Sequence, residues 1–321
     1  MTTEDEIRAA NGLDDLYPVL SRNRYTAGWN KKSRSLWPEP ATALTPQHWS
    51  YSEARAALEQ AGRWIGTDLA ERRNLLMFNP VEGNEYDTVN TLVAAYQMIK
   101  PGEHARAHRH TPNALRLILE AGAGLFTVVD GVKLPMVEGD VLLTPGRAWH
   151  SHFNEGDDNA YWIDILDVPL VHRLEPMFFE ELAGGTQAVI EAPQAHPYWF
   201  SRAETEAALA LATPDKFGMR RHRLESQGAI PTMELSWLAL EAGASTGELR
   251  STESRIYAAT RGHGQFTTAA GVHNWGPGDV FAAPGWAAHT ILAQSDARIF
   301  EVSDAPVMRA FGFYFDADNR P

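Results

Sequence analysis

The sequence predicts an all-β chain built as two tandem β-barrels, with a helical arm ahead of the first and a helical linker between them. Two observations carry that reading. From about residue 72, short apolar runs alternate with Gly, Pro and Asn turn signals, the pattern of a sandwich or barrel. The same landmarks then recur: G-D-V-L-L-T-P at 139–145 returns as G-D-V-F-A-A-P at 278–284. In each copy a histidine follows the proline by five positions, His150 and His289, and a D-x-P triplet comes later, at 167–169 and 304–306. Gly102 and Gly243 precede those histidines by 48 and 46 residues. A repeat this long marks two related domains rather than a solenoid.

The elements follow in order. Residues 1–70 read as a helical arm, in which Ser52 caps and Gly62 stops a helix over 52–62. The aromatic and proline-rich stretch before it suits a packed arm or lid. Residues 71–171 hold the first barrel, in runs such as T-L-V-A-A-Y-Q-M-I, A-L-R-L-I-L-E and A-Y-W-I-D-I-L. Residues 172–231 turn helix-like again, and 232–321 hold the second barrel.

Composition narrows the function. A length of 321 residues suits about two domains. The absence of cysteine excludes a disulfide scaffold, thiolate zinc sites, iron–sulfur clusters and a cysteine nucleophile. The net charge of −13, with no basic block, argues against nucleic acid and anionic membranes as partners. No apolar run approaches the length of a membrane span. The N-terminus is acidic and lacks the basic start and apolar stretch of a signal peptide, so a cytoplasmic protein is expected.

The chemistry concentrates in the first copy. It reads G-E-H-A-R-A-H-R-H over 102–110 and G-D-V-L-L-T-P-G-R-A-W-H-S-H-F-N over 139–154. Side chains alternate faces along a strand, so His108 and His110 share a face, as do His150 and His152. Strands of a small barrel would bring these imidazoles to one point, and neutral imidazole suits Fe, Cu, Ni or Zn. Aligned on the glycines, the second copy has Leu249 and Ser251 where the first has His108 and His110. Only His289 survives there, so the second barrel is expected to be structural or a docking surface. His263 and His273 sit near turn glycines and read as solvated.

Residues 102–110 and 139–154 resemble the two cupin motifs, and the repeat makes the chain similar to a bicupin of two jelly-roll barrels. Within that group, P-G-E-H-A-R-A-H-R-H-T-P-N-A-L-R-L-I-L-E (101–120), 139–156, 161–170 and 71–80 resemble gentisate 1,2-dioxygenases and the related salicylate and 1-hydroxy-2-naphthoate dioxygenases. The resemblance runs from about residue 25 to the C-terminus. It implies Fe(II) held by His108, His110 and His150. The lack of an acidic ligand after H-x-H is itself typical of that family.

The resemblance also implies the reaction and the groups around it. The substrate would be an aromatic 2-hydroxy acid, opened by O₂ between the carboxyl- and hydroxyl-bearing carbons. Arg116 would capture its carboxylate, and His152 would act as acid/base or hydrogen-bond the phenolic oxygen. Asp164 would accept from a ring hydroxyl or orient His152. Arg72 or Arg73, of which only one can face inward, would add a second cation, with Arg72 favoured. Gln97 would donate to the substrate, with Val93 and Ala95 on the same pocket-lining face. His104 shares the face pattern of His108 but lies near a turn and reads as exposed.

Many members of that family carry an aromatic where Val93 stands. The substrate thus stays open among gentisate, salicylate, a nitro- or halosalicylate and 1-hydroxy-2-naphthoate. A non-catalytic bicupin that stores or senses a small ligand, and a zinc isomerase, are the competing classes. The intact triad and the missing acidic ligand speak against them. The resemblance further implies a homotetramer, with Trp29, Trp37 and Trp49 as interface candidates.

Overall fold

The computed structural model describes residues 2–31, 35–66 and 72–318. The chain divides into two compact units, Met1–Ala41 and Thr42–Pro321. The first carries α1 (Thr3–Arg8), closed by a Thr2–Asp5 capping box, and α2 (Leu13–Arg22). The second holds both barrels. Its elements open with β1 (Gln47–Trp49), α3 (Tyr51–Ala61), β2 (Arg73–Leu76), β3 (Val93–Ile99), β4 (His104–His110) and β5 (Ala114–Glu120). Next come β6 (Leu125–Val129), β7 (Val132–Pro135), β8 (Val141–Thr144), β9 (His150–Asn154), β10 (Ala160–Leu166) and α4 (Val168–Leu174). The linker contributes β11 (Phe179–Glu181), β12 (Trp199–Phe200) and α5 (Arg202–Leu211). The second copy runs through β13 (Met219–Leu224), β14 (Glu234–Leu240), β15 (Arg255–Arg261), β16 (Gly264–Thr268), β17 (Gly271–Trp275), β18 (Val280–Ala283), β19 (His289–Ala293), β20 (Ala297–Ser303) and α6 (Ala305–Ala310).

The expected two-barrel, all-β architecture is what folds. In the first barrel a six-stranded antiparallel sheet, β12-β8-β5-β10-β3-β2, is accompanied by a five-stranded sheet, β11-β4-β9-β6-β7. The second repeats the plan with β1-β18-β15-β20-β14-β13 and β17-β16-β19. The central strands of each six-stranded sheet are buried on both faces and read as near-continuous apolar runs. One face fills its own barrel. From the other, Tyr96, Leu115, Leu143 and Ile163 of the first copy share one buried cluster with Leu235, Ile256, Val280 and Phe300 of the second. That shared core fuses the barrels into a single body.

The boundaries differ from the sequence expectation in an informative way. The arm expected over 1–70 divides at Ala41, and β1 and α3 belong to the large unit. The linker expected over 172–231 includes β13, a strand of the second barrel. The helix expected over 52–62 starts at Tyr51, with Ser50 rather than Ser52 as its cap, and ends at Gly62 as expected.

These shifts reveal a longer repeat than the motifs show. Ser50 caps α3 and Ser201 caps α5, and each helix is preceded by a short strand. The β1 strand precedes the first barrel yet pairs with the second, Trp49 with Val280, and the Tyr51 amide at the start of α3 donates to Asp279 at 2.8 Å, while the body of α3 packs on β2 and β3 of the first. The β12 strand precedes the second barrel yet pairs with the first, Phe200 with Val141, and the Arg202 amide at the start of α5 donates to Asp140 at 2.8 Å, while the body of α5 packs on β13 and β14 of the second. Gly139 and Gly278, just ahead of those aspartates, adopt left-handed backbone at φ 84° and 86°. A Cβ at either would collide with Arg202 or Tyr51, so glycine is required twice over.

The two D-x-P signatures close a second reciprocal contact. The Thr232 hydroxyl of the second copy donates to Asp167 of the first, and the Thr91 hydroxyl of the first donates to Asp304 of the second, both at 2.5 Å. Burial pushes the Asp304 carboxyl up to about 6, against partial relief from Thr91 and Ser254. A raised folded-state value means that the native state binds the proton more tightly than the unfolded chain. Asp304 therefore loses stability for the fold as pH rises from about 4 through 6, by about 1.4 kcal/mol per unit of displacement. Asp304→Asn mimics the protonated form. Its stability relative to wild type, measured by urea unfolding, should improve by about 2–3 kcal/mol between pH 4 and 7.5. A pH-independent difference would show that Asp304 does not titrate in this range.

Candidate metal centre and substrate pocket

The site is built inside the first barrel, where the two sheets face each other. On β9, His150, His152 and Asn154 point inward, and Val129 and Thr127 pair with His150 and His152. On β4, His108 pairs with His150, but Ala105 pairs with His152, so a bulge lies between them. A bulge adds a residue and inverts the alternation beyond it. Hence His104 does not share the inner face of His108, contrary to simple period-2 counting. It is exposed and stacks on the outward Phe153 with centroids 5.9 Å apart.

Three imidazoles converge. His108, His110 and His150 offer ligand atoms within 4.8 Å of one another, the one such group of three metal-ligating side chains found among the described residues. Each ring is oriented by its own backbone: Nδ1 of His108 meets the Arg106 carbonyl at 2.9 Å, that of His110 the Pro112 carbonyl at 2.9 Å, and that of His150 the Ala148 carbonyl at 3.0 Å. A carbonyl can only accept, so Nδ1 carries the proton and Nε2 presents its lone pair to the common point. The buried Nε2 of His150 has no partner. Burial, first, and the positive charges of Arg72 and Arg116 hold these rings below the usual histidine range, to about 4 for His108. They are neutral at pH 7, the form that binds metal. An orphaned, buried Nε2 among oriented neutral rings fits a metal ion with nitrogen affinity.

The facing six-stranded sheet supplies the charged wall. Register places Arg116 opposite Asp164, Gln97 opposite Trp162 and Ala95 opposite Asp164, so all share the inner face. Asp164 is almost fully buried and stands 3.4 Å from Arg116 Nε and 3.7 Å from Arg72 Nη2. The Trp162 indole donates to it at 2.9 Å. Arg116 also donates to the Thr144 hydroxyl at 2.5 Å, while its buried Nε lacks an aligned acceptor. Burial lowers its guanidinium to about 10, which leaves it protonated at neutral pH. Arg72 Nε donates to the Gln97 side-chain carbonyl at 3.1 Å.

The two neighbouring arginines go separate ways. Arg72 joins the pocket. Arg73 is buried on the opposite side, bound to the Ile65 carbonyl at 3.0 and 2.8 Å and paired with Glu103. The expectation of Arg73 as a substrate-binding candidate is corrected: both faces of its guanidinium are engaged in holding the 65 and 100–103 segments. Val93 and Ala95 lie on the inner face with Gln97, all buried. His152 is fully buried, with neither ring nitrogen partnered, 6.0 Å from His150 and 5.8 Å from Trp162 between ring centroids.

Sequence reasoning missed several members. Trp162 and Thr144 hold Asp164 and Arg116; the i, i+2 spacing of Trp162 and Asp164 on one strand was the available signal for the former. Phe179, on an edge strand paired to β4, stacks on His108 at 5.3 Å. It comes from the linker, and no motif marks it.

In the second barrel other side chains stand where the first gathers its imidazoles. Leu249 bridges His289 just as His108 pairs with His150. His289 keeps the Nδ1 bond to a carbonyl, that of Ala287 at 2.9 Å. Its Nε2 is 2.9 Å from the Tyr257 hydroxyl, at the position that corresponds to Arg116. Phe266, Phe281 and Trp275 fill the rest of this barrel. His263 is exposed and meets Ser295, while His273 stacks on His48.

A double-stranded β-barrel carrying three oriented histidines that could hold a metal ion and a buried arginine–carboxylate wall defines a cupin, and the cupin domain family model matches residues 95–166. Over nearly its whole length the chain is similar to characterised enzymes. It is 32% identical to a 5-aminosalicylate 1,2-dioxygenase of a Comamonas species over 94% of this chain and 89% of that one. It is 28% identical to a gentisate 1,2-dioxygenase of Aquipseudomonas alcaligenes over 95% and 96%. A crystal structure of salicylate 1,2-dioxygenase from Pseudoaminobacter salicylatoxidans with gentisate superimposes with a TM-score of 0.87 at 25% identity, covering 98% and 96%. The chain belongs to the gentisate and salicylate 1,2-dioxygenase family of ring-cleaving dioxygenases. No helix among the described residues is long and apolar enough to cross a membrane.

The triad makes a direct prediction. His150→Ala should reduce bound divalent metal from one per chain to near none by elemental analysis, with the far-UV circular dichroism unchanged. Full metal occupancy in that variant would remove His150 from the ligand set.

Proposed function

We propose that the chain is an Fe(II)-dependent dioxygenase that opens gentisate or a related 5-substituted salicylate between its carboxyl- and hydroxyl-bearing carbons. Both atoms of O₂ enter the product, so gentisate would become maleylpyruvate. The observation that carries this reading is the placement of Arg116 and Arg72, tied to one buried carboxylate, on the wall facing three neutral imidazoles. His108, His110 and His150 would hold the iron, which when bound supplies the redox access to O₂ that zinc lacks.

The remaining steps belong to the chain's own residues. Three neutral ligands leave the full dipositive charge to be met by the substrate's carboxylate and adjacent phenolate. Arg116 receives the carboxylate through its planar fork, and Arg72 flanks it. Asp164 keeps both guanidiniums in place and limits their mutual repulsion. Because the Gln97 carbonyl accepts from Arg72, its amide NH₂ is the end left to donate to the substrate. His152, neutral and partnerless, holds or moves the proton of the phenolic oxygen. Trp162, fully buried, backs this space, and Phe179 stacks on His108 at its edge.

Val93 and Ala95 give the reading its breadth. Both are small for a wall that meets an aromatic ring, so room remains for a substituent. This favours 5-substituted salicylates, 5-aminosalicylate and nitro- or halosalicylates included, and 1-hydroxy-2-naphthoate as alternatives to gentisate. A cytoplasmic homotetramer is the assembly and location we propose with this activity; Trp29 and Trp37 are exposed enough to serve as contacts.

Oxygen uptake after anaerobic Fe(II) loading tests the reading with gentisate, salicylate, 5-aminosalicylate, 5-nitrosalicylate, 5-chlorosalicylate and 1-hydroxy-2-naphthoate. One O₂ consumed per ring opened is expected with at least one of them. No uptake with any, despite one iron per chain, contradicts it. With the preferred substrate, Arg116→Ala should retain iron and raise KM by roughly 30-fold or more, the consequence of losing about 2 kcal/mol of buried charge pairing.

A further inference from the structure

The pseudo-twofold relation between the copies is broken at one place. In the first copy, Tyr96 on the outer face of β3 donates its hydroxyl to the Gly278 carbonyl of the second at 2.8 Å. The corresponding position on β14 is Trp237. By symmetry its indole would serve Gly139, but its buried Nε1–H meets no acceptor. Trp237 and Gly139 both line a groove of about 740 Å³ between the two barrels and α5. That volume lies within the range of small-ligand pockets.

The charges of the groove are unequally committed. Glu120 accepts from the Tyr51 hydroxyl at 2.7 Å and pairs with Arg55; Glu206 is held by Arg298; Glu138 stands 3.4 Å from Arg202. Every lining acid is therefore paired. The Arg261 side chain, exposed at the rim, has no hydrogen-bond or ion-pair partner among the described residues. What remains available is one guanidinium, one buried N–H donor and apolar wall from Tyr51, Ile118 and Leu119. No carboxylate there is left unengaged to meet a cation.

We propose that this groove is a second binding site, distinct from the metal centre, for a small aromatic monocarboxylate. Arg261 meets the carboxylate, the ring lies along the apolar wall, and the Trp237 indole donates to the ligand. This inference does not rest on the ring-cleaving reading.

The test uses full-length, metal-loaded protein labelled with 5-fluorotryptophan. The Trp237 fluorine resonance is assigned by its loss in Trp237→Tyr, which introduces the side chain that the first copy carries at this position. Titration with benzoate should move that resonance saturably. Arg261→Ala should weaken the effect roughly tenfold, the loss of one charge-assisted hydrogen bond, and Arg261→Glu should abolish it. Neither arginine variant should alter turnover. Benzamide, which has the same shape without the charge, should bind at least roughly tenfold more weakly. A Trp237 resonance unmoved by benzoate overturns the proposal, as does one that moves equally in Arg261→Glu or equally with benzamide.

Discussion

The site depends on one buried anion. Asp164 is enclosed within the first barrel and is shared by Arg116, Arg72 and the Trp162 indole. Removing one partner from such a group leaves uncompensated charge in a low-dielectric interior, at a cost of about 3–5 kcal/mol. The cluster is therefore tied together: the anion is tolerable because of the arginines, and the arginines because of the anion. One anion against two cations leaves a net positive wall. That residual charge is what a substrate carboxylate would complete.

The opposite wall solves a different problem. A metal site of neutral ligands needs lone pairs aimed at one point without charge to aim them. Backbone carbonyls at 2.9–3.0 Å from the three Nδ1 atoms do this, and the bulge between Ala105 and His108 sets which side chains of β4 face inward. The second barrel keeps the Nδ1 bond at His289 and hands Nε2 to Tyr257. The same scaffold is thus stable with a tyrosine where the first copy keeps its metal-facing arginine. The reciprocal pairing of β1 and β12 then joins a reactive barrel to an inert one.

Much of this was legible in the sequence, for physical reasons. H-x-H on one strand and H-x-H on another gather on one face once the strands pair, as β4 and β9 do, and the repeated G-D-V motif fixed the offset between copies. The single-face rule placed Val93, Ala95 and Gln97 together, and it separated Arg72 from Arg73. It failed at His104, because a bulge leaves no composition signal and inverts the parity. The exchange of the pre-barrel strands was also invisible: β1 and β12 are only three and two residues long, and no local pattern tells which barrel so short a strand will pair with. Trp162 and Phe179 read as ordinary core and loop aromatics, since their importance lies in partners distant along the chain.

The most direct measurement is a crystal structure of the Fe(II)-loaded protein with gentisate, prepared without oxygen. The account predicts iron on Nε2 of His108, His110 and His150, with the substrate carboxylate against Arg116 and Arg72 and no contact to Arg73. Iron bound elsewhere, or a substrate whose carboxylate points away from Arg116, would contradict it.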